Sequence, residues 1–503
     1  MEQSYRGSLA RVVTICSAFA ALYVTYCVGV VIYNIYFHPL SKYPGPRLRA
    51  GMHAVDLWHV WNGDQPVAVA ALHEIYGDVV RTRPDTLSYR TAQAFKDIYG
   101  TRAGKHQLRK DPRSYTITGE EQTHIIYSND ADHSRMRKLL SHAFSDAALR
   151  QQEPIMHHYF ELMVHKLEDR IDNAGGEVDI SKWYNFLTFD IIGDMCFGEP
   201  FNALESGKYH YWMSNLFNGI KYSRILVIAA FYKPALPILM AIASLFPAIS
   251  KAKEEHETFT RLKTEKRLEA KTDRIDFMTY ILRHNDERGM SKEELMETSG
   301  LLIIGGSETT ATLLSGATYY LLQTPRVYAK VKEEVRTAFK DAQDITLTST
   351  ARLPYLHAVI EEALRLYPPV PFALLRKTPP EGDMINGEFV PGDTCVGVNH
   401  YAAYHTADHF HEPKVFAPER WLPDRPEQYR NDRIDVLNPF SIGPRNCIGK
   451  NLAYNEMRSI LARMLWHFEM ELLPSSNDWQ NHKSYFLWEK PDLYVRLSRR
   501  KFE

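Results

Sequence analysis

The sequence predicts a mainly α-helical protein with small β-sheets, preceded by one N-terminal transmembrane helix. Three observations indicate this class. A long uncharged apolar run lies near the N-terminus, most later segments have apolar residues at helical spacing, and strand-like runs are few and short. No Gly/Ser-rich or Pro-rich linker follows residue 50 of the 503. We therefore expect an anchor and hinge over residues 1–45 and one large domain over residues 46–503.

The anchor is predicted from residues 12–37, which carry no charge. About 20 apolar residues are enough for a helix to cross a bilayer, and a signal peptide would have a shorter apolar core. The stretch FHPLSKYPGPR follows, and its prolines prevent the helix from continuing. Three basic residues lie just after the span and two before it, which favours a cytosolic location for the large domain.

Helices and strands of the large domain are predicted from periodicity. Helices are expected over residues 130–145, 153–171, 328–342 and 448–468. Strands are expected within residues 78–90, 375–394 and 485–497. A long apolar helix is expected over residues 291–323, with an interruption at IGGSETT.

Composition excludes two classes of protein. Lys and Arg number 60 against 61 Asp and Glu, so the net charge is -1 and no basic field indicates a nucleic-acid partner. The five cysteines are widely spaced and form no CxxC pair, so neither a zinc site nor a disulfide framework is predicted.

One cysteine, Cys447, is flanked by glycines and an arginine that a buried structural cysteine does not need. In FSIGPRNCIGK, Cys447 lies just before a predicted helix, where free backbone N–H groups and the helix dipole favour a negative sulfur. Gly443 and Gly449 allow positive φ and close approach of the backbone to a flat cofactor. Arg445 can pair with a carboxylate of that cofactor.

The pattern Phe-x-x-Gly-x-Arg-x-Cys-x-Gly, which begins at Phe440, resembles the haem-binding loop of the cytochrome P-450 family. The resemblance implies that Cys447 is the axial ligand of the iron in haem b, iron protoporphyrin IX. A thiolate in that position favours O–O cleavage.

The stretch EEALRLYPP places Glu362 and Arg365 on one helix face, since they are three residues apart. In the family such a pair forms a buried network with a later arginine, and FAPERWL supplies Arg420. Trp421 stands where the family usually has Phe. The resemblance assigns these three charged residues to holding the fold beneath the haem.

The motif IIGGSETT resembles the oxygen-activation motif of the family. Glu308 and Thr309 match the acid and alcohol that deliver protons during that step. We expect Gly305 and Gly306 to loosen the helix, leaving the Thr309 hydroxyl free and connecting Glu308 with solvent.

Two further sequence features match positions that bind haem propionates in the family. His133 and Arg137, in HSRMRKLL, occupy the place of a Trp-x-x-x-Arg pair, with His in place of Trp. Arg376, in PFALLRKTP, matches the other propionate-binding arginine.

The resemblance covers the whole chain. FHPLSKYPGPR and FDIIGDMCFGEPF look like membrane-bound members of fungal secondary metabolism, a group that includes isotrichodermin hydroxylase. The resemblance implies a monooxygenase that crosses the endoplasmic reticulum membrane once and has its catalytic domain in the cytosol. Electrons would come from NADPH through a separate reductase, because only 56 residues follow Cys447. The alternatives are an O₂-independent haem-thiolate isomerase or dehydratase, and a non-catalytic haem-binding membrane protein.

The substrate pocket is expected, by family position, to draw on five segments that are rich in aromatic and aliphatic residues. They are residues 101–127, 211–246, 301–304, 370–375 and 486–488, with Phe372, Leu374, Leu375, Phe486 and Leu487 prominent. Such a lining suits a bulky apolar substrate such as a polyketide, terpenoid or alkaloid intermediate. Ordinary core packing explains any one of these side chains equally well.

Overall fold

The computed structural model describes residues 2–501, apart from residues 103, 105, 106, 116–123, 233–236, 238–240, 242–246, 271, 273, 284 and 286–288. Helices dominate the described residues, as the sequence predicts. The α-helices are α1 (Glu2–Tyr36), α2 (Arg47–Gly51), α3 (Ala54–Asn62), α4 (Gln65–Tyr76), α5 (Ala92–Tyr99), α6 (Pro112–Tyr115), α7 (Asp130–Ala143), α8 (Asp146–Ala174), α9 (Ile180–Phe197), α10 (Ala203–Ser206), α11 (Tyr211–Phe231), α12 (Pro247–Glu269), α13 (Phe277–Arg283), α14 (Lys292–Gln323), α15 (Pro325–Ala338), α16 (Leu347–Thr350), α17 (Pro354–Leu366), α18 (His400–His405) and α19 (Lys450–His467).

The strands are short and form small sheets. They are β1 (Val79–Arg83), β2 (Thr86–Tyr89), β3 (Arg109–Lys110), β4 (Glu177–Asp179), β5 (Arg376–Lys377), β6 (Asp383–Ile385), β7 (Glu388–Val390), β8 (Cys395–Val398), β9 (Phe468–Leu472), β10 (Ser484–Tyr485), β11 (Leu487–Trp488) and β12 (Tyr494–Arg499). The largest sheet has the order β1-β2-β8-β5-β3, and β2 pairs with β8 in parallel, Thr86 opposite Cys395. This sheet joins residues 79–110 to residues 376–398.

The N-terminal helix α1 stands apart from the rest of the chain. Its segment Val13–Tyr36 has 24 residues and a mean hydropathy of 2.1, and none of it is buried. A helix of this length and composition can cross a bilayer. The helix ends before the prolines that follow residue 38, as predicted. Its last turn is bonded to the domain, because the Asn34 side chain donates to the Gly51 carbonyl oxygen and Arg81 donates to the Asn34 carbonyl oxygen.

The core of the domain is built around α9 and α14, which pack closely against each other. Nearly all of α9 is buried, and a Cβ on Gly306 would lie 2.8 Å from Cδ1 of Ile192 in α9. Gly306 is therefore needed for the close approach of the two helices. The predicted interruption of this helix is wrong, since α14 runs unbroken from Lys292 to Gln323 after a Ser291–Glu294 capping box.

Candidate active site

The loop that contains Cys447 is held by its own backbone. Gly443 has φ +74, and a Cβ there would overlap the carbonyl oxygen of Tyr99 at the end of α5. The Cys447 N–H then donates to the Phe440 oxygen at 2.8 Å, closing the loop, and the Phe440 ring lies 5.1 Å from that of Tyr454 in α19. The glycine pattern thus fixes where the cysteine lies relative to α19.

The Cys447 side chain is exposed, yet the protein surrounding it raises the pKa of its thiol through burial. A side chain with both properties faces an internal space. The N–H of Gly449 opposes the pKa shift by bonding to the sulfur, and α19 begins at the next residue. Gly449 has φ -84, so the positive φ expected at this glycine is not observed. Its contribution is the donated N–H.

Two arginines from the predicted set fasten this loop. Arg137 in α7 donates from Nη1 to the Asn446 carbonyl oxygen at 2.5 Å and from Nη2 to its Oδ1 at 2.6 Å. Arg445 donates from Nη2 to the Ser128 oxygen and to Asp130 Oδ1, both at 2.8 Å. The Nη1 of Arg445 is buried and has no hydrogen-bond partner. Arg137 is thus engaged with the loop itself, whereas Arg445 keeps one buried donor free.

Four basic side chains collect on this side of the loop, and we call them the cationic cluster: Lys110, His133, Arg376 and Arg445. Burial, together with the charges of Arg376 and Arg445, lowers the pKa of Lys110 to about 6. Burial and the neighbouring cations lower the pKa of His133 to about 4, so its ring is neutral at pH 7. Arg376 in β5 donates to the Tyr115 hydroxyl at 3.2 Å.

Lys110 was not predicted from the sequence, because a single lysine in an irregular stretch carries no signal. Its Nζ donates to the Ile126 oxygen at 2.7 Å and lies 4.9 Å from the centre of the Tyr115 ring. The sequence singled out the other three members, and the structure brings all four together.

These residues fit a flat, anionic, thiolate-ligated cofactor. The cationic cluster contains an orphaned buried donor on Arg445 and a lysine whose pKa its neighbours depress, and an anionic group would relieve both. Among the described residues, no group of three or more His, Cys, Asp or Glu side chains could hold a metal ion. A metal bound by Cys447 would therefore take its other ligands from a cofactor.

A second set of charges is buried in the domain, and we call it the carboxylate-centred network: Glu362, Arg365 and Arg420. Arg365 donates to both Glu362 oxygens at 2.7 and 2.9 Å, and Arg420 Nε donates to Oε1 at 3.1 Å. All three side chains are 0% exposed. Although burial opposes ionisation, Arg365 and Arg420 hold the pKa of Glu362 below its ordinary value.

Trp421 also contacts this network. The sequence predicted the network but not this contact. Its indole Nε1 donates to Glu362 Oε2 at 2.8 Å. The Ala417 N–H donates to Glu362 Oε1 at 3.0 Å, and Arg420 also pairs with buried Asp432. A phenylalanine at position 421 could not make the indole bond, so this departure from the family pattern adds a contact.

Glu308 in α14 is buried. The sequence predicted that it would be open to solvent, and this prediction is wrong. Its Oε1 pairs with Nζ of Lys490, and the two side chains are 7% and 4% exposed. Lys490 also donates to Thr312 Oγ1 at 2.8 Å, and that hydroxyl lies 3.4 Å from Glu308 Oε1. The second oxygen, Oε2, is buried without a hydrogen-bond partner. Glu308 is thus fixed through one oxygen and free at the other.

Thr309 is bonded within its own helix, which differs from the free hydroxyl expected. Its Oγ1 donates to the Gly305 carbonyl oxygen at 2.7 Å because α14 is not broken there. The oxygen can still accept a hydrogen bond. Gly305 is exposed although it lies mid-helix, and no atom lies within 4 Å of the position its Cβ would take. This part of α14 therefore faces open space.

The predicted pocket segments are only partly within the described residues, since parts of 101–127 and 211–246 lie outside them. A cavity of about 120 Å³ is lined by Phe372, Leu375 and Phe486, whereas Leu374 and Leu487 do not line it. Its lining also contains many polar side chains, which the sequence did not predict.

The sequence matches the cytochrome P-450 family model over residues 45–497, which includes every candidate residue above. The chain belongs to the cytochrome P-450 family. It is 45% identical over 483 residues to cytochrome P-450 monooxygenase astA of Talaromyces wortmannii, covering 96% of each chain. It is 43% identical over 479 residues to the trichothecene C-4 hydroxylase of Trichoderma arundinaceum, covering 93% of this chain and 94% of that one. This cytochrome P-450 is a monooxygenase by family, with the haem-thiolate cofactor that the family implies.

Proposed function

We propose that this cytochrome P-450 is anchored in a membrane and uses O₂ and NADPH-derived electrons to hydroxylate or epoxidise a bulky apolar intermediate of fungal secondary metabolism. One observation carries the proposal. The exposed Cys447 thiol lies just before α19 beside a cationic cluster that retains an unpartnered buried donor. The chemistry that bound haem b supplies is O₂ activation and oxygen transfer to carbon, with the second oxygen atom leaving as water.

Each residue near the loop has a distinct proposed role. Cys447 would bind the haem iron through its sulfur, and the Gly449 N–H and the start of α19 stabilise its thiolate form. Arg445, Arg376 and Lys110 hold the anionic edge of the cofactor. His133 is neutral at pH 7, so it serves as a hydrogen-bond donor there.

Gly443, Phe440 and Arg137 keep the loop in place. Gly443 allows the loop to lie against α5, and Phe440 packs on α19. Arg137 donates to both oxygen atoms of Asn446, the residue before Cys447. The carboxylate-centred network of Glu362, Arg365 and Arg420 holds α17 against the segments that contain Tyr404 and Ala417.

Protons are delivered by Thr309 and Glu308 on α14. The Thr309 hydroxyl donates to the Gly305 carbonyl oxygen, and its own oxygen can accept a hydrogen bond at the same time. Glu308 Oε2 has no competing partner and can take and release a proton, while Lys490 holds Oε1. Lys490 is thus a positioning residue for Glu308.

The anchor places the protein in the endoplasmic reticulum membrane with a single pass and a cytosolic domain of residues 46–503. The uncharged span and the basic residues that follow it support this topology. Electrons arrive from NADPH through a separate cytochrome P-450 reductase in the same membrane.

The test is gene deletion followed by reconstitution. The metabolite that accumulates in the deletion strain is incubated with the full-length holoprotein, the reductase and NADPH under ¹⁸O₂. We expect one ¹⁸O atom in the product. We also expect the Thr309→Ala variant to bind haem normally but to divert NADPH consumption from product to hydrogen peroxide.

Two results would contradict the proposal. If a product forms without NADPH, or contains no ¹⁸O, the protein has the O₂-independent isomerase or dehydratase activity instead. Haem binding without any conversion of the accumulated metabolite would assign the non-catalytic alternative.

A further inference from the structure

The cavity of about 120 Å³ lies between β1, β2, the C-terminal half of α11 and the hairpin of β10 and β11. Its charged lining side chains are two arginines, Arg83 and Arg224, and none of the described Asp or Glu residues lines it. Hydroxyl groups of Thr82, Ser114 and Ser484 are also in the wall. A volume near 120 Å³ exceeds what one water needs roughly eight-fold or more, so a polar group of a ligand fits inside.

Arg83 is 7% exposed and only half paired. Its Nε donates to Asp56 Oδ2 at 2.6 Å, and the other Asp56 oxygen, Oδ1, accepts from Arg49 Nη1 at 2.8 Å. One carboxylate therefore serves two guanidinium groups. The Nη1 of Arg83 is buried and has no hydrogen-bond partner.

Arg224 in α11 has no carboxylate partner among the residues the structure describes. Its guanidinium lies 4.8 Å from the Trp61 ring centre and 4.4 Å from that of Tyr485. Its Nε and Nη1 are buried without a hydrogen-bond partner. The two rings fix the position of the guanidinium, but they accept none of its in-plane hydrogen bonds.

A third unsatisfied group lies in the same wall, since Ser484 Oγ is buried and has no partner. Buried charged donors without acceptors are costly, and three orphaned side chains around one cavity are unusual in a folded protein. Ring stacking explains why Arg224 is ordered, but it explains neither Arg83 Nη1 nor Ser484 Oγ. An anionic oxygen group is the kind of acceptor that all three lack.

One residue that lines the cavity also contacts the cationic cluster. Tyr115 lines it and accepts a hydrogen bond from Arg376 of the cationic cluster. Phe372, Leu375 and Phe486 form its apolar wall. A molecule whose acidic end lies between the arginines would thus pass its apolar skeleton along these side chains.

We propose that this cavity binds the carboxylate of an amphiphilic substrate, with Arg83 Nη1, Arg224 and Ser484 Oγ as its donors. The planar guanidinium matches a carboxylate with two parallel hydrogen bonds. The inference rests on the proposed function and narrows its substrate from a bulky apolar molecule to a bulky organic acid. Arg224 becomes a specificity-determining residue.

The test measures equilibrium binding to the full-length holoprotein in nanodiscs, without NADPH or reductase. Dodecanoate, its methyl ester and dodecyl phosphate are the probes, and empty nanodiscs correct for partitioning into lipid. We expect dodecanoate to bind at least about ten-fold more tightly than the ester, since a charged hydrogen bond is worth that factor or more. In Arg224→Gln this preference should fall by about ten-fold, and Arg224→Lys should restore part of it.

The control is Arg261→Gln, an exposed arginine on α12 away from the cavity, which should keep the preference. Arg83→Gln should lower it as well; if that protein does not fold because Asp56 loses a partner, Arg224→Gln alone carries the test. A wild-type ratio near one, or a ratio unchanged in Arg224→Gln, would overturn the inference. A clear preference for dodecyl phosphate over dodecanoate would overturn the carboxylate assignment.

The ferrous–CO spectrum of the same samples separates this inference from the proposed function. An intact spectrum with no carboxylate preference rejects only the organic-acid substrate. A spectrum without the thiolate-type band rejects the haem-thiolate function itself.

Discussion

Two groups of buried basic residues lie near the Cys447 loop, and they differ in how their charge is balanced. In the carboxylate-centred network, Arg365 and Arg420 share the oxygens of Glu362, and Trp421 and a backbone N–H complete its shell. In the cationic cluster, Arg445 has an orphaned donor, and the charges of Arg376 and Arg445 help to lower the pKa of Lys110. The first group is complete within the protein, whereas in the second Asp130 pairs with Arg445 but the Arg445 Nη1 stays without a partner.

The comparison teaches that burial of charge has two purposes in this molecule. A fully paired network stabilises one arrangement of the chain, because removing any partner leaves a buried charge. An unbalanced cluster costs stability in the protein alone and regains it when a ligand of opposite charge binds. Substitutions in the two groups should therefore affect different measurements.

The largest effect is expected for Glu362→Gln, which removes the charge shared by Arg365 and Arg420. Breaking a buried pair costs about 3–5 kcal/mol, a large fraction of the stability of an ordinary domain. We expect little soluble folded protein, measured as the yield of haem-containing monomer after extraction. Glu361→Gln is the control, since Glu361 is only partly buried and contacts Tyr454. Equal losses for both variants would show that the network is not special.

Lys490→Met tests a pair of intermediate character, because Glu308 is bound through one oxygen and free at the other. The variant leaves Glu308 buried without its cation. We expect normal haem content, a thermal midpoint several degrees lower, and several-fold more hydrogen peroxide per NADPH. Lys490→Arg should recover much of the product yield. An unchanged product-to-NADPH ratio in Lys490→Met would remove Lys490 from the proton path.

Arg445→Gln tests the unbalanced group. The protein should fold with a slightly lower unfolding midpoint, because the bonds to Ser128 and Asp130 are lost. Haem should dissociate about ten-fold faster, since a charged hydrogen bond to the cofactor is lost as well. Transfer of haem to apomyoglobin measures this rate. Arg109→Gln is the control, because Arg109 is exposed and next to Lys110. A lower midpoint with unchanged haem transfer would place Arg445 with the structural network instead.

The last prediction is a pH dependence and concerns Glu456 in α19, a fully buried carboxyl that accepts a hydrogen bond from Thr310. Burial raises its pKa to about 8, so the folded protein keeps this proton while the unfolded chain loses it near pH 4.5. Stability should therefore fall as pH rises between about 4.5 and 8, by at most about 1.4 kcal/mol per pH unit. Glu456→Gln should flatten this slope in thermal unfolding at a series of pH values. An identical slope in both proteins would contradict the raised pKa.

The sequence predicted those features that depend on neighbours along the chain. The spacing of Gly443, Arg445 and Cys447 lies within five residues, and the Glu362–Arg365 pair follows from helix geometry. The mainly helical class with small sheets is confirmed for the described residues and by the family.

The rest depends on contacts between distant parts of the chain, which no local pattern encodes. Lys490 lies 182 residues from Glu308, and the expectation that Glu308 reaches solvent failed because this partner was invisible. Gly306 was interpreted as a point of helix loosening, but Ile192 in α9 requires its small size. The orphaned donors of Arg83 and Arg224 became apparent only when the strands, α11 and the C-terminal hairpin came together around one cavity.

The central claim is that Cys447 binds the haem iron, and the ferrous–CO difference spectrum tests it most directly. The wild-type protein should show the red-shifted Soret band of a thiolate-ligated haem. Cys447→Ala should lose this band, while the matched control Cys16→Ala, an exposed cysteine of α1, should keep it. A Cys447→Ala protein that retains the thiolate-type band would contradict the account.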